Sequence, residues 1–335
     1  MRTWLTLSVL SAALWPLTGC GLAPARDFVD VLPSAASLLV DFPGAEETSA
    51  ERMSSAGEGL EQAFRKLPTL DDTDVESAAC YDGTLELATR ANATVAYVLN
   101  GLDTVTDYRP QQVEDGVYQW GPWESQDGTL NLRLRMSMGE EGDYVYSFQG
   151  SNTLSEDYLQ LIFGLIEEGS IREAGSGSFV LDYDNLEALQ PSGERKGQAS
   201  FGYQYDGTGA REINVQLTDF MFESGEISDA VLEFDRNADI TGKLDWFRMR
   251  DGYDDGMGEA LLESYAYRSR WLADHSGRCD GIINGGDLGA HEVKSHQCWD
   301  SSTAEVYFQA ELDGEEVKNR GALESCAFAD AAYAD

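Results

Sequence analysis

The stretch LRLRMSMGEEGDYVYSF, residues 132–148, decides the fold. Leu132, Leu134, Met136 and Met138 alternate with Arg133, Arg135 and Ser137; beyond Gly139–Gly142, Tyr144, Tyr146 and Phe148 alternate in the same way. A period of two sends successive side chains to opposite faces of a pleated strand, so these residues predict a β-hairpin with one apolar face. The pattern recurs at Phe179-Leu181-Tyr183, Phe201-Tyr203-Tyr205, Ile213-Val215-Leu217, Leu232-Phe234, Leu244-Trp246 and Tyr265-Tyr267-Ser269-Trp271. Turn signals fall between many of these runs: Asp206-Gly207, Ser224-Gly225, and Asp251-Gly252 through Gly258. One segment departs from the period. Ser155–Glu168 carries Tyr158, Leu159, Ile162, Phe163 and Ile166 at helical spacing with Ser155 as cap, and is expected to be an inserted helix.

Upstream, Phe28, Val29, Val31, Leu32, Leu38 and Leu39, broken at Pro33, predict helical structure, and a second helix is expected over Glu46–Leu67, ending before Pro68. The expectation is an α+β chain, predominantly antiparallel β. Helices in residues 27–93 pack on a large curved or partly closed meander over residues 94–335. Strands that follow one another without intervening helices exclude the parallel sheet of an α/β fold.

The chain has 335 residues, 60 acidic against 23 basic, for a net charge of −37. Its 13 Phe, 15 Tyr and 7 Trp exclude an acidic disordered polymer, which could not bury them. Nucleic acid is not an expected partner, because phosphate binding needs a basic surface. The same surplus disfavours unaided adhesion to anionic lipid.

Residues 1–20, MRTWLTLSVLSAALWPLTGC, carry one charge, Arg2, then an apolar stretch from Trp4 to Leu17 too short to span a bilayer comfortably. That layout predicts an export signal over residues 1–19. Its end, Leu17-Thr18-Gly19-Cys20, resembles the lipobox of bacterial lipoproteins. The resemblance implies cleavage before Cys20, lipidation of that residue and a short tether over residues 20–26. Gly21 stands where many inner-membrane members have aspartate, so the resemblance implies the outer membrane, with the chain held through its N-terminal lipid. Each buried acyl CH₂ contributes about 0.8 kcal/mol to such an anchor.

Four further cysteines, Cys80, Cys279, Cys298 and Cys326, fit two disulfides in an exported chain, with three possible pairings. Cys298 and Cys326 flank a hairpin pattern, Val306-Phe308-Ala310-Leu312 turning at Asp313-Gly314 and returning through Val317. That favours Cys298–Cys326 and leaves Cys80–Cys279 to tie the helical region to the sheet. The three histidines, His275, His291 and His296, interleave with Cys279 and Cys298, a mixture that zinc can use. The spacing opposes it: no tight Cys pair occurs, and His291 to His296 is one residue longer than H-E-x-x-H.

No nucleophile elbow, phosphate loop or dinucleotide fingerprint is found. Asp235, Asn237 and Asp239 begin like a calcium loop, but Ile240 stands where glycine is required and Trp246 where the bidentate glutamate belongs, so a solvated turn is the plainer reading. Three i,i+2 arginine pairs, Arg133/Arg135, Arg248/Arg250 and Arg268/Arg270, would make a face for an anionic ligand if they coincided; the plainer reading is pairing with neighbouring carboxylates, Arg248 with Glu263 among them. In plan only, the chain is similar to half-barrel lipoprotein carriers of the LolA/LolB type. The expected function is a non-catalytic, membrane-anchored binding or envelope-structural module without cofactor, its protein partner or apolar ligand unspecified. The alternative is a carrier holding a lipid or other apolar ligand in the curved sheet, and a third reading is a metal-dependent hydrolase built on His275–Cys298.

Overall fold

A computed structural model describes residues 28–43 apart from 29 and 41, and residues 78–331 apart from 115, 126, 127, 140, 154, 156, 223, 224 and 251–260. The export signal, Cys20, the tether, the expected helix Glu46–Leu67 and the turn Asp251–Gly258 lie outside the described residues.

The β period is realised as one antiparallel sheet of 15 strands in strict sequence order. These are β1 (Gln112–Glu114), β2 (Val117–Glu124), β3 (Leu130–Met138), β4 (Tyr144–Asn152), β5 (Leu159–Ile166), β6 (Gly175–Asp182), β7 (Gln198–Tyr205) and β8 (Arg211–Met221). Then follow β9 (Ile227–Arg236), β10 (Gly242–Arg250), β11 (Glu263–Trp271), β12 (Gly277–Gly285), β13 (Glu292–Trp299), β14 (Glu305–Leu312) and β15 (Glu315–Gly321). The first and last strands are the ends of that order, so the sheet is open. β8 shows how the alternation sorts the faces: Ile213, Val215 and Leu217 are buried while Glu212, Asn214 and Gln216 are exposed.

The concave face closes on a long helix, α1 (Ala79–Thr106). At 1.5 Å per residue its 28 residues span about 42 Å. Among its described side chains only Asp82 and Asn100 are exposed, because the inner face of the sheet and the segment Phe28–Phe42 both pack against it. Leu87, Val95, Val98, Leu99 and Leu102 join one core cluster with inward residues of strands from β2 to β13. Burying such a side chain contributes about 1.5–3 kcal/mol each. The two interior glycines, Gly83 and Gly101, cost only about 0.5–1 kcal/mol each, so packing decides the helix.

Polar ties fix its register. Thr84 Oγ1 donates to Ser269 Oγ at 2.9 Å, Cys80 N–H donates to Gln297 Oε1 at 2.6 Å, and Trp120 Nε1 donates to Tyr108 O at 2.8 Å. The segment before the helix enters the same core. A helical turn closes with Leu32 N–H on Phe28 O at 3.1 Å, and a 3-10 turn follows at Ala35–Leu38. Phe42 then packs edge-on against Trp271 at 4.9 Å. The Asn92 side chain pairs with both the N–H and the C=O of Val40, replacing a missing strand.

Two expectations are corrected. Ser155–Glu168 is not a helix: Leu159–Ile166 is β5, paired to β4 and β6, and Ser155 Oγ accepts Asp157 N–H in a turn. This run is apolar on both faces, so its period does not separate helix from strand. Gly164 settles it, since the Tyr146 ring lies over its missing side chain. The inserted helix is instead α2 (Tyr183–Leu189), capped by Asp182 Oδ1 on Asn185 N–H at 2.8 Å. The β period expected from about residue 94 begins only at Gln112, because a helix buried on all sides carries apolar residues without a clear stripe.

Candidate functional site

On the outer face of β9–β14 the register aligns two polar rows. One runs Asp235, Lys243, Arg270, Arg278, Cys298 and Tyr307; the next runs Glu233, Asp245, Arg268, Asp280, His296 and Gln309. Their centre is removed from water. Asp280 is fully buried, Arg278 is 3% exposed and His296 is 8% exposed. Asp280 Oδ1 accepts from Arg278 Nε at 2.8 Å and from His296 Nδ1 at 2.7 Å, and its Oδ2 accepts from Arg270 Nη2 at 3.5 Å. The same His296 Nδ1 lies 3.3 Å from Arg278 Nη2. Farther along the second row, burial pushes the Asp245 carboxyl up against the opposing pull of Arg268 and Lys243.

The cover is the C-terminal segment. After β15 the chain bends at Gly321, with φ 76°; a side chain there would lie 2.0 Å from Val306 O, so only glycine fits the bend. A 3-10 turn at Leu323–Ser325 brings Cys326 to Cys298, Cα atoms 5.4 Å apart in a disulfide. Beyond it, Arg278 Nη1 donates to Phe328 O at 3.2 Å and Ala329 O at 2.9 Å, and Arg270 Nη2 donates to Asp330 O at 2.6 Å. The Arg270 guanidinium also stands 4.9 Å over the Phe328 ring. Beside this strap lies a cleft of about 290 Å³ lined by Asp235, Asn237, Lys243, Arg270, Trp271 and Phe328.

The other disulfide pair, Cys80 with Cys279, joins the first turn of α1 to β12 on the inner face, Cα atoms 6.2 Å apart. Cys298–Cys326 encloses the β14–β15 hairpin, whose turn residues Asp313 (φ 54°) and Gly314 (φ 80°) both take the left-handed backbone.

The arginine pairs do not share a face. Arg133 and Arg135 lie on β3, separated from β10 by the six strands β4–β9; Arg133 Nε donates to Gln149 Oε1 at 2.7 Å and its guanidinium stacks 3.7 Å over Tyr158. Arg248 is 1% exposed on the inner face of β10, with Arg250 two residues on, whereas Arg268 and Arg270 project outward from β11. Arg248 stacks 3.4 Å over Phe222 and pairs with Glu226 at 3.2 Å; burial lowers its guanidinium to about 10 while Glu226 pulls it upward. In the strand register Glu263 faces Arg250, not Arg248.

The calcium reading is also reassigned. Asp239 Oδ1 accepts the Thr241 hydroxyl at 2.6 Å and amide at 3.1 Å, which holds its carboxyl below the usual range, and Asp235 pairs with Lys243 at 3.5 Å. Asn237 donates to Thr241 Oγ1 at 2.9 Å, and Ile240 itself takes the positive φ, 74°. These side chains build a hairpin turn. The histidines are dispersed: His275 sits in a turn, His291 Nδ1 lies 2.6 Å from Asp313 Oδ2, and His296 belongs to the outer cluster. Among the described residues no group of His, Cys, Asp and Glu is arranged to hold a metal ion.

Sequence reasoning missed Arg278, Asp280 and the burial of His296. Arg278-x-Asp280 and His296-x-Cys298 do share a strand face by period, but nothing local says that a distant tail covers them. No protein-family model matches the chain, and neither curated proteins nor solved structures give a significant match.

Proposed function

We propose that the protein is an exported bacterial lipoprotein, held at the outer membrane through Cys20, whose folded part is a non-catalytic binding or envelope-structural module. The observation that carries the reading is Leu17-Thr18-Gly19-Cys20 at the end of a short apolar stretch with a single flanking charge. The body is consistent with it. Two disulfide pairs suit an oxidising compartment, and one locks the sheet to its central helix.

A concave face occupied by the chain's own helix favours a structural or surface-binding role over a carrier, which would keep that space for its ligand. The polar cluster likewise spends its donors and acceptors on itself and on the strap, an arrangement suited to closure more than to proton transfer.

The test is metabolic labelling with radioactive palmitate, followed by membrane fractionation. The native protein incorporates label and fractionates with the outer membrane, while Cys20→Ala incorporates none. Absence of label from the native protein refutes the reading.

A further inference from the structure

Lys243, Arg270 and Arg278 face one another in direct register across β10, β11 and β12. Three cations side by side repel, and in a chain of net charge −37 such a row needs a reason. Lys243 meets Asp235 in solvent. The remaining two guanidinia share the buried carboxylate of Asp280, the Asp245 carboxylate also acts on Arg270, and their further donors reach other groups. Those described here are three main-chain carbonyls of the strap, at Phe328, Ala329 and Asp330, and His296 Nδ1, 3.3 Å from Arg278 Nη2.

We propose that residues 322–331 are a releasable strap over an oxyanion site. When the Cys298–Cys326 bond opens, the strap lifts, and Arg270 and Arg278, with Lys243 beside them, take a small phosphate- or carboxylate-type anion in place of the carbonyls. Planar guanidinia on adjacent strands in direct register suit the fork geometry of such anions, and Asp280 still holds Arg270 once the strap lifts. The opening is a thiol–disulfide exchange with a dithiol reductant. One reductant thiolate attacks Sγ of Cys326, and Cys298 leaves as a thiolate and takes a proton. The second reductant thiol then closes the reductant's own disulfide and frees Cys326 as a thiol. Attack falls on Cys326 because Cys298 is fully buried whereas Cys326 is half-buried in an exposed segment. The inference rests on the cluster and not on the lipid anchor, so it stands or falls separately from the proposed function.

The experiment uses the purified full chain in detergent, oxidised, reduced with dithiothreitol, and as Cys326→Ser. Hydrogen exchange reports the strap, and calorimetric titration with inorganic phosphate, against chloride at equal ionic strength, reports the site. Reduction or Cys326→Ser is expected to release protection in residues 322–331 while β2–β9 stay protected. Phosphate then binds at least about tenfold more tightly than to the oxidised chain, and Arg270→Gln in the opened form removes the gain. Equal phosphate binding in open and closed forms overturns the proposal, as does a strap that keeps its protection after reduction. If Cys326→Ser does not fold, the reduced native chain decides, and loss of protection throughout the sheet also overturns it.

Discussion

Replacing Asp280 by alanine isolates the energetic role of the outer cluster. Asp280 is fully buried and accepts from Arg278, His296 and Arg270. Without it, the two guanidinia lose their shared buried carboxylate and keep the strap carbonyls and, for Arg278, His296 Nδ1. Their burial sets the cost. The Arg270 side chain is 27% exposed and can turn to water, but that of Arg278 is 4% exposed and cannot do so while the strap is closed. Breaking a buried pair by removing one partner costs about 3–5 kcal/mol, and with only one cation truly trapped the lower end applies, about 3 kcal/mol. Asp280→Asn keeps an acceptor but loses the charge, and should cost about 1.5–3 kcal/mol. Urea denaturation of the oxidised protein at pH 7 measures both, with a melting-temperature loss of roughly 6–10 °C for the alanine variant. In the Cys326→Ser background the trapped cation can hydrate, so the cost of Asp280→Ala should fall by about 1–3 kcal/mol, a coupling read from the double-mutant cycle. Asp280→Ala within 1 kcal/mol of the native protein, or strict additivity with Cys326→Ser, would refute the idea that the strap traps charge.

Gly164→Ala places a Cβ 2.0 Å from Cζ of the buried Tyr146 ring, an overpacking that should destabilise by about 1–3 kcal/mol in urea titrations. Tyr146→Phe, which removes a buried hydroxyl without a partner, should be close to neutral, and a stabilising Gly164→Ala would contradict the placement of β5. Burial raises the phenols of Tyr146, Tyr203 and Tyr267, and pushes Tyr205 up to about 12. Groups raised in the folded state stabilise it below their unfolded value near 10 and lose that contribution as pH climbs toward the folded values. Absorbance at alkaline pH should therefore show exposed tyrosines ionising first, and a second step above about 12 that coincides with loss of near-ultraviolet circular dichroism. A single step near 10 with the fold intact would refute that burial.

By itself the sequence determined the strand-rich body, its antiparallel order and the hairpin at Asp313-Gly314. A half-buried strand writes its two environments into every second residue, as Ile213-Val215-Leu217 does against Glu212, Asn214 and Gln216. The cysteine pairing was legible for a related reason, since Cys298 and Cys326 bracket that hairpin. Where the surroundings are the same on all sides, the pattern carries no such record. α1 is enclosed between the sheet and the segment Phe28–Phe42, and β5 is apolar on both faces, so period could place neither Ala79–Thr106 nor Leu159–Ile166 correctly. The outer cluster was out of reach for another reason. Arg278, Asp280 and His296 look like ordinary outward polar residues, and only the tertiary register of β11–β13, with a disulfide-held tail folded across it, takes them out of water. Burial there is set by segments about 50 residues apart in the chain, and no local periodicity reports it.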